Sequence, residues 1–249
     1  MNTRAFLPFT YIFTVHLYRQ QRKPLAEATP AMNNAYTLDT AAQPLATYAH
    51  IAEQLYSKGY CILEQVIPHN LAATLCAQAK TYSDDYKKAE VGRGDNKHYN
   101  PAIRSDEILW ISEKTAAETN WLAWAEGLRV QLNQRLFLNL SHVESHFSHY
   151  PPDAFYRKHR DAFQGNSNRL VSMVTYLNPS WCPEDGGEML LYDDNEQQIL
   201  RVQPTLGTLA VFLSNEFPHE VLATQKDRYS IASWFRVNEL DAPVISRLK

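Results

Sequence analysis

From His142 to Arg236 the chain never sustains one periodicity for long. Short runs of β-branched and aromatic residues alternate with turn-forming clusters: Pro151-Pro152, Gly165-Asn166, Pro179, Asp185-Gly186-Gly187, Asp193-Asp194-Asn195, Pro204 and Lys226-Asp227. Segments this short cannot build helices with a useful apolar face, but they suit half-buried strands. Strands are predicted at 143–150, 154–161, 169–177, 187–192, 198–203, 208–213, 218–221 and 228–236. Eight short strands in succession point to a β-sandwich or jelly-roll barrel.

The upstream half reads differently. Leu45, Tyr48, Ile51, Ala52 and Leu55 recur at helical spacing after Asp39-Thr40, which suits an N-cap. Leu71, Leu75, Ala79 and Tyr82 follow Asn70, and Trp121, Ala125, Leu128, Leu132 and Leu136 follow Thr119-Asn120. Helices are therefore predicted over 40–57, 70–87 and 119–137, with short strands at 60–66 and 108–111. The expected class is mainly β with supporting helices, the helices packed on one sheet. No internal repeat or low-complexity tract divides the chain, so 40–249 reads as a single domain with its β core at about 140–238.

Residues 1–39 read as a flexible extension, and Met32 offers an alternative start that would make the segment before it non-native. Arg4 ahead of the apolar stretch Ala5–Tyr18 resembles a secretory signal, but His16 interrupts the stretch and no small-x-small cleavage site follows. A net charge of −3 argues against a nucleic-acid-coating surface. No apolar run is long enough to span a bilayer. The 3 cysteines are odd in number and widely spaced, which fits a reducing, cytoplasmic setting rather than a disulfide framework or a zinc ribbon.

The chemistry is concentrated in Tyr156-Arg-Lys-His159-Arg-Asp161. On a strand, residues two apart share a face, so His159 and Asp161 can aim an imidazole and a carboxylate at one point. Pro218-His219-Glu220 offers a third ligand. Two histidines and one carboxylate on one face of an ion leave positions open, which suits iron(II), oxygen and a chelating cosubstrate. Nine residues after His219, Arg228 opens a strand whose Arg228, Ser230, Ala232 and Trp234 share a face. A guanidinium there can grip the far carboxylate of 2-oxoglutarate through paired hydrogen bonds. A zinc hydrolase would also use such ligands, but no His-Glu-x-x-His helix is present and zinc leaves Arg228 unexplained. His142, His146 and His149 read as surface or packing histidines.

These residues resemble the iron(II)/2-oxoglutarate-dependent oxygenases, most closely the hypoxia-inducible-factor-type prolyl 4-hydroxylases and their bacterial relatives. The resemblance is carried by YRKHRD at 156–161, RLVSMVTYLNPSW at 169–181, DGGEMLLY at 185–192 and PHEV with RYSIASWF between 218 and 235, and by Ile103-Arg104-Ser105-Asp106 with Trp110 upstream. It implies a double-stranded β-helix core. It implies iron held by His159, Asp161 and His219, and the far carboxylate of 2-oxoglutarate bound by Arg228 and Tyr176, with Tyr150 near the keto acid end and Met189 and Val221 lining the pocket. Arg104, Asp106, Arg169 and Trp234 match substrate positions, and the polar loop 90–106, with Gly92 and Gly94, matches a substrate cover. The implied cosubstrates are 2-oxoglutarate and dioxygen, with ascorbate as a further candidate. The implied partner is a proline-containing protein or peptide, with no nucleic acid and no membrane. A hydroxylase of a free amino acid or another small molecule, and a barrel that binds without catalysis, are the alternatives. Ala232 departs from the Thr that the hypoxia-type enzymes carry near the metal-bound water.

Overall fold

The computed structural model describes residues 44–91, 98–162 and 168–238. The expected extension at 1–39, the Asp39-Thr40 cap, Gly92 and Gly94 of the expected cover, and the Gly165-Asn166 break lie outside them. Among the described residues there are three α-helices: α1 (Pro44–Lys58), α2 (His69–Thr81) and α3 (Ala116–Leu136). The strands β1 (Tyr60–Leu63), β2 (Lys87–Lys88) and β3 (Glu107–Trp110) lie among them. The strands β4 (His142–Tyr150), β5 (Tyr156–His159), β6 (Arg169–Tyr176), β7 (Met189–Tyr192), β8 (Gln198–Val202), β9 (Leu209–Leu213), β10 (His219–Val221) and β11 (Arg228–Arg236) follow.

The strands form two antiparallel sheets. The larger has the order β1-β9-β6-β11-β4-β3-β2 and the smaller β5-β10-β7-β8. From β4 to β11 the chain passes back and forth between the sheets, and only β7 and β8 follow one another within one sheet. This is the double-stranded β-helix, or jelly-roll, architecture.

Period-two alternation decides what each face of the large sheet does. Phe147, Val171, Met173, Val211, Ile231 and Phe235 point to the helices and are fully or almost fully buried. Ile51, Leu55, Trp121, Leu128 and Leu132 meet them from α1 and α3. Fully burying an aliphatic or aromatic side chain contributes roughly 1.5–3 kcal/mol, so this layer is the main stabilising core. Gly127 sits inside α3 because a Cβ there would come within 2.9 Å of the Tyr48 hydroxyl; its absence lets α1 approach α3, where Tyr48 donates a hydrogen bond to the Trp124 carbonyl. The opposite face carries Ser172, Tyr176, Arg228, Ser230, His146 and Tyr150 and looks toward the small sheet.

Several boundaries differ from expectation. The second helix begins at His69 and ends at Thr81, because Ser83-Asp84-Asp85 propagate a helix poorly, and Lys87–Lys88 pair with Ile108 and Glu107 instead. Thr115, not Thr119 or Asn120, caps α3: its side chain accepts from the Glu118 amide. The fifth strand stops at His159, so Asp161 lies in the bend beyond it. Strand alternation therefore does not aim Asp161.

Candidate active site

The inner face of the large sheet, β5, β10 and the Ile103–Arg104 segment enclose a cleft of about 1480 Å³. His159 ends β5 and His219 opens β10, and the two are register partners across that antiparallel pair. Pairing alone brings their rings to 4.3 Å between centroids. Each imidazole is oriented by a carbonyl two residues earlier in its own chain. His159 Nδ1 lies 2.8 Å from the Arg157 oxygen and His219 Nδ1 lies 3.1 Å from the Phe217 oxygen. A carbonyl only accepts, so each Nδ1 carries the proton and each Nε2 presents a lone pair.

Both Nε2 atoms face Asp161, at 3.6 Å from Oδ1 and 3.7 Å from Oδ2. The carboxylate reaches this point because Ser172 Oγ, on β6, donates to Oδ2 at 2.6 Å and is itself paired with Ser214 at 2.9 Å. One ligand atom from each of His159, Asp161 and His219 lies within 4.8 Å of the other two. Donors about 2 Å from a shared ion at right angles would stand about 3 Å apart, so a small contraction accommodates a metal. The electrostatics agree with that use. Burial pushes the Asp161 carboxyl up, but His219, His159 and the Ser172 hydrogen bond outweigh it and hold the carboxyl well below the usual range. Burial, then the neighbouring His159, lowers His219 to about 4, which keeps its ring neutral and able to ligate.

Ser172 was legible as a same-face neighbour of Tyr176, but its bond to Asp161 depends on a pairing of remote segments. Ser172→Ala is expected to weaken iron(II) affinity by roughly 10–100-fold while leaving the ligands in place. Anaerobic calorimetric titration with iron(II) checks this; unchanged affinity would remove Ser172 from the site.

At the closed end of the cleft, Arg228 is 1% exposed. Its Nε donates to the Gly187 carbonyl at 2.7 Å, and its Nη1 lies 3.4 Å from Ser230 Oγ. No carboxylate of the described residues pairs with it. Its guanidinium carbon stands 4.8 Å from the Tyr150 ring and 5.1 Å from the Tyr176 ring. The Tyr176 hydroxyl is buried with no hydrogen-bond partner among the described residues. Burial raises this phenol to about 12, so it remains a donor. A buried cation without a counter-ion beside an orphaned hydroxyl is costly unless an anion fills the space. The carboxylate of a small diacid fits that donor set. Gly187 leaves room for the arrangement: a Cβ there would meet Arg228 Cδ at 2.9 Å. Met189 and Val221, register partners in the small sheet, line the same cavity.

The remaining predicted residues stand toward the mouth. Arg104 lies beside β5, held by hydrogen bonds from Ser105 N to Phe155 O and from Arg157 N to Ile103 O. It pairs with Asp106 through Nε at 2.7 Å and Nη2 at 2.6 Å. The pair is not the surface salt bridge that its sequence offered as an alternative, since Asp106 is fully buried and Arg104 only 14% exposed. Asp106 thus braces Arg104 rather than lining the cleft. Arg104 lies 4.2 Å over the Tyr156 ring, and Tyr156 stacks on His159 with centroids 3.6 Å apart. This stack ties the cleft mouth to a candidate metal ligand and was invisible in the one-dimensional pattern. Arg169 pairs with Glu144 at 3.0 Å and covers the Trp234 ring at 3.9 Å. Of the three histidines read as bland, His142 bonds Ser141, and His149 stacks on Tyr229 and pairs with Asp227. His146 is different: it lines the cleft. Its membership of the 146–148–150 face was the available signal.

A jelly roll that gathers two histidines and an aspartate opposite a buried, unpaired arginine has the parts of a non-haem iron oxygenase. Comparison with known proteins agrees. The family model described as the 2OG-Fe(II) oxygenase superfamily matches residues 145–236. A solved prolyl-4-hydroxylase from Pseudomonas putida is 36% identical, with 77% of this chain and 99% of that chain covered and a TM-score of 0.69. The chain belongs to the 2OG-Fe(II) oxygenase superfamily, whose cosubstrates are 2-oxoglutarate and dioxygen. Among curated proteins, human Egl nine homolog 1 is 28% identical over 141 residues, covering 53% of this chain and 33% of that protein. The chain thus spans about a third of the length of the curated relatives it matches. A Trichoplax adhaerens prolyl hydroxylase, solved with a hypoxia-inducible-factor peptide fragment, shares the fold at 23% identity, covering 84% of this chain and all of that one, with a TM-score of 0.71.

Proposed function

We propose that the protein is an iron(II)- and 2-oxoglutarate-dependent dioxygenase that hydroxylates a prolyl residue in a protein or peptide and releases succinate. The observation that carries the cosubstrate is Arg228, buried without an anionic partner at the closed end of the cleft that holds His159, Asp161 and His219. Likeness to the Pseudomonas putida prolyl-4-hydroxylase over nearly its whole length supports the prolyl target. An open cleft of about 1480 Å³ exceeds the ~300–1,000 Å³ typical of small-molecule pockets, which favours a peptide over a free amino acid.

In this reading His159, Asp161 and His219 hold iron(II), and Ser172 keeps the carboxylate turned toward the two Nε2 atoms. Arg228 and the Tyr176 hydroxyl take the distal carboxylate of 2-oxoglutarate, while Tyr150, Met189 and Val221 shape its channel and exclude water. Iron(II) and the keto acid, if bound there, would let dioxygen place one oxygen atom on a substrate carbon as a hydroxyl and the other in succinate, with loss of carbon dioxide. Arg104, Arg169 and Trp234 orient the substrate at the mouth, with Asp106 fixing Arg104. Among the described residues no helix is long and apolar enough to cross a membrane. All three cysteines are free, with Cys182 exposed; we place the enzyme in the cytoplasm, where thiols stay reduced.

The test needs no known substrate. Anaerobic addition of iron(II) and 2-oxoglutarate should produce a visible charge-transfer band, and admission of air should release succinate. Treated lysate should then show one proline-containing peptide heavier by one oxygen atom. Absence of both the band and succinate would reject the oxygenase reading; succinate with modification only of small molecules would reject the peptide target.

A further inference from the structure

The face of β4 that carries Tyr150 also carries His146, which is 3% exposed and lines the cleft. Its Nδ1 lies 3.1 Å from the Phe147 carbonyl and 3.2 Å from Ser148 Oγ. The carbonyl can only accept, so Nδ1 carries the proton and Nε2 is an acceptor. No hydrogen bond joins Nε2 to any described residue. Burial, then Arg104, with Arg169 adding to it against Asp106, lowers this histidine to about 4, so the ring stays neutral near pH 7.

Besides these charged groups, two indole rings flank it. Trp110 stands edge-on at 5.2 Å and Trp234 tilts at 5.2 Å. Ala232, the register partner of His146 on β11, leaves the ring uncrowded. Trp234 Nε1 is buried and has no acceptor among the described residues. That donor is therefore out of a substrate's reach, whereas His146 Nε2 presents an unused acceptor to the cleft between the two indole rings. An extended peptide carries the complementary donor, a backbone N–H on its strand edge. Proline has no N–H, so the residue read must be a neighbour of the target.

We propose that His146 Nε2 accepts a hydrogen bond from the backbone N–H of an extended residue flanking the target proline. This rests on the prolyl-peptide reading above. It makes His146 a specificity residue that selects backbone conformation rather than side chain.

The probe is a synthetic pool of octapeptides with a fixed central proline, scored by peptide-stimulated succinate release, and the best member is then assayed singly. His146→Leu removes the acceptor, whereas His146→Gln places an amide oxygen near Nε2. For His146→Leu, KM for the peptide should rise about tenfold with a much smaller change in kcat, as expected for one lost hydrogen bond. His146→Gln should recover most of that loss. N-methylation of one flanking residue should raise the wild-type KM by a similar factor and add nothing further in His146→Leu. Should His146→Leu fail to fold, the same N-methylated peptides on wild type and His146→Gln decide the matter. An unchanged KM in His146→Leu, or N-methylation that harms no position or acts additively, overturns the assignment to His146. If no pool stimulates succinate release by a wild-type enzyme that turns over 2-oxoglutarate alone, the prolyl-peptide reading itself falls, and this inference with it.

Discussion

Arg228→Ala is expected to raise the 2-oxoglutarate concentration needed for half-maximal turnover by several hundred-fold, while iron(II) affinity changes little. A buried carboxylate deprived of its guanidinium loses about 3–5 kcal/mol. The ligand-free variant should not be destabilised in proportion. In the wild type this cation hydrogen-bonds the Gly187 carbonyl and the Ser230 hydroxyl and pairs with no carboxylate of the described residues, so removing it also removes an uncompensated charge. Thermal melts separate the two effects. With iron(II) already bound to both, 2-oxoglutarate at 100 times its wild-type dissociation constant should further stabilise the wild type by about 2.7 kcal/mol, and the variant by only about 0.2 kcal/mol. Arg228→Lys keeps the charge but loses the planar fork, and should fall between them. If Arg228→Ala releases succinate at the wild-type 2-oxoglutarate concentration, the diacid binds elsewhere.

Asp161→Ala should abolish iron(II) binding in the micromolar range and reduce succinate release to background. The loss should exceed the ~100-fold upper range expected from the outer-shell change Ser172→Ala, because Asp161 is the sole anion among the three ligands. The fold should survive, since Asp161 lies in a bend beyond β5 and outside the helix-facing core. Calorimetric iron titration beside a circular-dichroism melt reads both. Near-normal iron affinity with a normal melt would mean that His159 and His219 bind iron without this carboxylate.

The candidate ligands and the barrel were legible for different reasons. Strand positions followed from short runs between strong breaks, and every strand predicted from His142 onward is present to within a few residues. His159, Asp161, His219 and Arg228 stood out through residue type and spacing. The reason first offered for the His159–Asp161 pair was incomplete, however. Asp161 is turned toward the histidines by Ser172 from a strand eleven residues further on, not by alternation along β5.

Local chemistry along the chain, then, specified which segments become strands, which faces are apolar and which four residues are candidates for the chemistry, because alternation, breaks and ligand types are properties of neighbours. Tertiary pairing alone decided that Arg228 would be buried without an anion, that Arg104, Tyr156 and His159 would stack, and that His146 would look into the cleft rather than pack. Those features arise where strands remote in sequence meet across two sheets. The free energy of burying a charge or orphaning a hydrogen-bonding group depends on what the distant strand brings, which no local pattern encodes.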